Sequence, residues 1–81
     1  MKISAELSLY PLDNEYIQIV LDFIESLKSN PNLEVITNGM STQVFGDIDD
    51  VMPTITKATK ELYEQKKAIL VMKIGKGTLK L

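Results

Sequence analysis

The sequence predicts one α+β domain of four strands and two helices, in the order β-α-β-β-α-β. Three observations carry that prediction. Residues 2–10 alternate in polarity, and residues 68–74 form a second, more apolar β-prone run. Two segments, one from Glu15 to Leu27 and one beginning near Asp49 or Asp50, instead repeat their apolar positions every three or four residues. Between these segments, two short β-prone runs flank an Asn38-Gly39 pair.

The first strand places Ile3, Ala5, Leu7 and Leu9 on one face and Ser4, Glu6, Ser8 and Tyr10 on the other, and Pro11 closes it. Asp13 or Asn14 can cap the helix that follows, and Glu15 suits its positive end. Ile17, Val20, Leu21, Ile24 and Leu27 supply its apolar stripe, and Asn30-Pro31-Asn32 stops it. Leu33–Thr37 and Met40–Phe45 then form a hairpin, because Asn-Gly fits a two-residue type I′ turn with φ > 0 at both positions. That turn would pair Thr37 with Met40, Ile36 with Ser41, Val35 with Thr42 and Glu34 with Gln43. It would put Val35, Thr42 and Val44 on one face and Glu34, Ile36, Ser41, Gln43 and Phe45 on the other.

Asp47 lies in the lead-in to the second helix, whose start near Asp49 or Asp50 keeps Pro53 within a first turn. At a helix start such acids serve as caps and dipole partners rather than metal ligands. Met52, Ile55, Thr59 and Leu62 make that helix's apolar row, with Lys57/Glu61 and Lys60/Glu64 as solvent-side pairs. The last strand turns Leu70, Met72 and Ile74 one way and Ile69, Val71 and Lys73 the other. Short connections and right-handed crossovers convert this order into a ferredoxin-like βαββαβ sandwich. It is a four-stranded antiparallel sheet of order 4-1-3-2, with two helices on one face.

Composition bounds the chemistry. At 81 residues the chain makes one domain, residues 1–81, and at 44% hydrophobic it has material for a core. It has no His, Cys, Arg or Trp, which removes His triads, thiol nucleophiles, the usual zinc sites and guanidinium clamps on phosphate. The expectation is therefore that the chain is not an enzyme and holds no cofactor and no metal. Residues 1–56 hold two lysines against nine acids, and residues 57–81 hold seven lysines against two acids. In a folded chain these halves pair with each other, and nucleic acid is not an expected partner. No apolar run reaches the roughly 18 residues of a membrane span and no leader precedes the first strand, so no membrane association and a cytoplasmic location are expected.

Two helices cover one side of the sheet, leaving Glu6, Ser8, Tyr10, Ile36, Ser41, Gln43, Phe45, Ile69, Val71 and Lys73 on the other. A contiguous apolar surface needs a partner, and Ile36, Phe45, Ile69 and Val71 are the expected contacts of a homodimer or dimer of dimers. Glu6 and Lys73 can form an ion pair between adjacent strands.

The stretches Ala5-Glu6-Leu7-Ser8-Leu9-Tyr10-Pro11-Leu12 and Gly39-Met40-Ser41-Thr42-Gln43-Val44-Phe45-Gly46, each followed by acids, resemble the YkoF-like thiamine-binding protein family. The resemblance covers nearly the whole chain in the same element order. It implies ferredoxin-like units that pair through their sheets, and a ligand, thiamine, held chiefly through its aminopyrimidine ring. Such a ring needs a flat wall and a few matched polar groups. Here Tyr10 or Phe45 can supply the wall, Glu6 can accept from the exocyclic amine, and Ser8, Ser41, Thr42 or Gln43 can complete the set. Thr42 alternates toward the helices. The sequence therefore leaves two pocket positions open, one between sheet and helices and one at the sheet face where subunits meet. Thiamine or its hydroxymethylpyrimidine fragment is the expected partner, in uptake, storage or salvage; a self-associating regulatory or scaffolding module without that ligand is the alternative.

Overall fold

A computed structural model describes residues 1–80. The elements are β1 (Lys2–Pro11), α1 (Tyr16–Leu27), β2 (Glu34–Thr37), β3 (Thr42–Asp47), α2 (Ile48–Tyr63) and β4 (Ala68–Lys76). The four strands form one antiparallel sheet, β2-β3-β1-β4, the predicted order counted from its other edge. Both helices pack on one face. Among the described residues no helix is long and apolar enough to cross a membrane.

The core lies between that face and the helices. Ile3, Ala5 and Leu7 of β1 meet Val44 of β3, Phe23 and Leu27 of α1, and Val51, Ile55 and Ala58 of α2. Leu27, Val44 and Val51 are wholly buried, each contributing about 1.5–3 kcal/mol from apolar surface removed from water. Residues opposite one another in an antiparallel sheet share a face. Leu7, Thr42 and Met72 thus form one row toward the helices, and Glu6, Gln43 and Lys73 the adjacent row away from them.

The helices are turned relative to the expected stripes. In α1 the buried residues are Ile19, Phe23, Ile24 and Leu27, while Ile17 and Leu21 are 62% and 53% exposed. The segment from Tyr16 to Leu27 carries more apolar residues than one face holds, and the larger Phe23 takes the core. In α2, Val51, Thr54, Ile55 and Ala58 are buried, with Met52 and Leu62 at the margin. Its start at Ile48 puts Pro53 in the second turn, where Asp49 necessarily lacks the usual bond from residue i+4. Asp47 is the N-cap: one carboxylate oxygen accepts from the Asp49 N–H at 3.0 Å, the other from the Met1 amine at 2.8 Å. These bonds, the amine's first, hold the Asp47 carboxyl below its usual range.

The hairpin does not close on Asn38-Gly39 as a type I′ turn. Among the described residues only Gly77 has positive φ, so neither turn position adopts the required backbone. Instead the Asn38 side-chain oxygen accepts from the N–H groups of Met40 and Ser41 at 2.8 and 3.0 Å, and the Asn38 N–H donates to the Ser41 carbonyl at 3.1 Å. An Asx-turn thus replaces the backbone turn. The loop grows to four residues, and Thr37 pairs with Thr42, Ile36 with Gln43, Val35 with Val44 and Glu34 with Phe45. Each partner is two residues further on than expected, so every side chain keeps its predicted face.

After Lys76 the chain leaves the sheet edge and crosses its open face. Gly77, at φ +85°, makes the bend, a conformation that glycine adopts without steric cost. The Ser4 hydroxyl then donates to the Gly77 carbonyl at 2.7 Å and accepts from the Leu79 N–H at 2.7 Å. Lys80 ends on Glu34, with its ammonium 5.8 Å from the centre of the Phe45 ring.

Candidate functional site

The open face is built of cross-strand rows. Nearest the tail lies Glu34–Phe45–Ser4–Gly75; next comes Ile36–Gln43–Glu6–Lys73; beyond them Ser8 pairs with Val71 and Tyr10 with Ile69. The tail runs along the first row. Its Leu79 lies over Gly75, where even a β-carbon would come within 2.6 Å of a Leu79 methyl. Phe45, expected as an exposed contact between subunits, is only 5% exposed, for the chain's own tail covers it. Ile36, Ile69 and Val71 do stand exposed at 38%, 54% and 48%.

A cavity of about 290 Å³ opens where the first two rows meet the tail, lined chiefly by Ser4, Glu6, Gln43, Phe45, Lys73 and Leu79. That volume is near the lower end of small-ligand pockets, roughly 300–1,000 Å³, and suits one ring. Glu6 is its chemical centre. One carboxylate oxygen accepts from the Ser41 hydroxyl at 3.2 Å, and the other lies 3.6 Å from the Lys73 ammonium. The Lys73 side chain is 81% exposed and that of Glu6 38%. An ion pair so open to solvent is worth at most about 1 kcal/mol, so a cationic or amino group can replace Lys73 at little cost.

Of the residues the sequence singled out, Glu6, Gln43 and Phe45 line this cavity and Ser41 reaches it through Glu6. Ser8 and Tyr10 share the face but lie farther along it, and Tyr10 is 56% exposed. Thr42 is on the other side, 6% exposed, its hydroxyl 3.0 Å from that of Thr37. It borders a smaller cavity of about 140 Å³ between α1 and the 38–41 loop, with Leu9, Phe23 and Ile24 among its walls. No carboxylate lines that cavity. A wider groove of about 670 Å³ beside α2 and β4 is mainly apolar, floored by Ile55, Leu70 and Met72. Ser4, Gly75 and Leu79, with Ala5 and Ile74, also line the open-face cavity and were not anticipated as site residues. The one sequence signal among them was Gly75, without a side chain on a strand whose other open-face residues, Ile69, Val71 and Lys73, are large. Among the described residues no cluster of acids is placed to hold a metal ion.

The sequence matches the family model of thiamine-binding proteins over residues 5–79. No curated protein matches it. Among solved structures, a hypothetical protein from Methanocaldococcus jannaschii is 28% identical with a TM-score of 0.82, over 99% of this chain and 84% of that one. A Streptococcus pneumoniae protein reaches a TM-score of 0.85 at 21% identity, over 98% and 90% of the two chains. A Thermotoga maritima protein, provisionally assigned to thiamine biosynthesis or salvage, gives 0.80 at 16% identity, over 91% and 82%. The last two likenesses establish the fold alone.

Proposed function

The chain belongs to the thiamine-binding protein family, and from that premise we propose that it binds thiamine through the aminopyrimidine ring in the open-face cavity, without catalysing a reaction. The observation that carries this reading is the convergence of Glu6, Gln43 and Lys73 on a ring-sized cavity walled by Phe45. Glu6 accepts from the exocyclic amine, and its charge also favours the cationic thiazolium. Gln43 offers both a donor and an acceptor to the ring nitrogens. The smaller cavity beside Thr42 lacks a carboxylate, and its two threonine hydroxyls already satisfy each other. Such a protein serves uptake, storage or salvage of the vitamin in the cytoplasm.

The same face supports self-association. Ile36 stands exposed in the row of Gln43 and Glu6, and Val71 and Ile69 in the two rows beyond it; a second copy stacked on this face makes a homodimer or dimer of dimers that walls the site on its open side. Sedimentation at tens of micromolar checks this, and a monomer counts against it.

A thermal-shift series with thiamine, thiamine diphosphate and hydroxymethylpyrimidine tests the ligand. At a hundred times its dissociation constant, a ligand adds about 2.7 kcal/mol of stability. The diphosphate should bind no better than thiamine, since the chain has no arginine and no phosphate loop. If none of the three raises the melting temperature at millimolar concentration, the self-associating module without this ligand becomes the better account.

A further inference from the structure

We propose that residues 77–80 are a hinged roof of the open-face cavity, so that Leu79 closes over a bound ring and the strap must lift for ligand to enter or leave. The inference rests on the ligand reading above and adds the control of that site. Its first support is position. The strap follows one cross-strand row, from Gly75 across Ser4 and Phe45 to Glu34, and its Leu79 lines the cavity opposite Phe45. A ring held by Glu6 and Gln43 lies beside the Phe45 face, within reach of the Leu79 methyls.

The second support is how the strap is held. Gly77 is its hinge: its N–H is still bound to the Lys2 carbonyl at 2.8 Å, and its φ of +85° turns the chain out of the sheet. Beyond it the described attachments are the Ser4 hydroxyl, the Lys80–Glu34 ion pair and the Lys80 ammonium over the Phe45 ring. Leu79 is 65% exposed and contributes little burial to the core. Segments with few buried contacts open locally at far lower cost than the sheet beneath them.

The third support is the row under the strap. Gly75 has no side chain where Leu79 rests, and Ser4 bonds the strap twice through one atom. Larger groups at either position would hold the strap off the sheet. The row is thus shaped to receive the strap, while the neighbouring row carries the charges that meet a ligand.

The test combines amide exchange with binding kinetics. In the ligand-free protein the Leu79 amide should exchange at least a hundredfold faster than the central amides of β1, and saturating thiamine should slow it at least fivefold. Truncation after Gly77 should accelerate thiamine dissociation about tenfold and association severalfold. Leu79→Ala, which alters a mostly exposed side chain, should accelerate dissociation with an unchanged melting temperature. Leu79 exchange as slow as that of β1 overturns the hinge. Unchanged rates in both variants, with thiamine bound, overturn the roof while leaving the ligand reading intact. Thiamine binding to neither the full chain nor the truncated one overturns the ligand reading and the roof with it, and the Leu79 exchange rate then decides the hinge alone.

Discussion

Ala5 and Glu6 are adjacent in β1 and occupy opposite environments. Ala5 is 2% exposed on the helix-covered face, in the apolar core with Phe23, Leu27 and Val51. Glu6 stands on the other face between the Ser41 hydroxyl and the Lys73 ammonium, with more than a third of its side chain in water. One strand therefore divides the molecule into a face that holds the fold and a face free to carry chemistry. The division is incomplete at Phe45, on the open face but buried by the tail. Stability and binding should separate under mutation everywhere except there.

The largest effect is expected on the covered face. Leu27→Ala removes a wholly buried side chain and should cost about 2–5 kcal/mol in chemical denaturation. A loss under 1 kcal/mol would mean that the helix layer does not carry the fold. Phe45→Ala comes next. Its cost in a closed core would be about 3–5 kcal/mol, but a strap on one side should bring it to the low end. Combining it with truncation after Gly77 should cost less than the sum of the two changes, because each already removes part of the other's contact. Strict additivity would show that the strap does not pack on Phe45.

Glu6→Ala should weaken thiamine by about 1.5–3 kcal/mol, the range for hydrogen bonds to charged groups, and leave the fold intact. Lys73→Ala should change affinity far less. If Glu6→Ala instead lowers stability and spares affinity, its partner is Lys73 and the ligand sits elsewhere. Val71→Ala, at 48% exposure, should alter monomer stability by no more than about 0.5 kcal/mol and show itself in sedimentation instead.

The smallest effect concerns Asp47. Its folded carboxyl titrates lower than in the unfolded chain, so its contribution is complete above the unfolded value of about 3.9. That contribution is lost as pH falls through the lowered folded value. Asp47→Asn should flatten the stability profile below about pH 4, because the variant already lacks at neutrality the contribution that the wild-type chain loses only in acid. An unaltered acid limb would remove the cap from the account.

The covered face was legible because its signal is periodic. Ile3, Ala5 and Leu7 alternate in the sequence as they do in the core, and the element order alone yields the sheet order. The rotation of α1 was not legible: Tyr16–Leu27 has apolar residues on most of its circumference, and packing volume chose Phe23 over Ile17 and Leu21. The site was half legible. Glu6 and Gln43 follow from alternation, and Ser41 from its place beside them. Ser8 and Tyr10 share the face without lining the cavity, and Thr42 faces the other side. Leu79 lies 73 residues from Glu6 in sequence and enters through a bend out of the sheet that no periodicity announces.

The Asx-turn at Asn38 also governs which changes in length the hairpin can accept. A strand repeats every two residues, so adding or removing two residues within 38–41 returns Val35 to the helices and Ile36 to the open face. One residue added to the pairing itself inverts β2: Glu34 and Ile36 turn toward the helices, while Val35 is driven into solvent. Related chains should therefore take an odd insertion in the turn, outside the Thr37–Thr42 pair, or compensate it with a bulge in β3. The rim of the sheet can lengthen freely at its turn, but its paired part grows in steps of two, and each step keeps the two faces distinct.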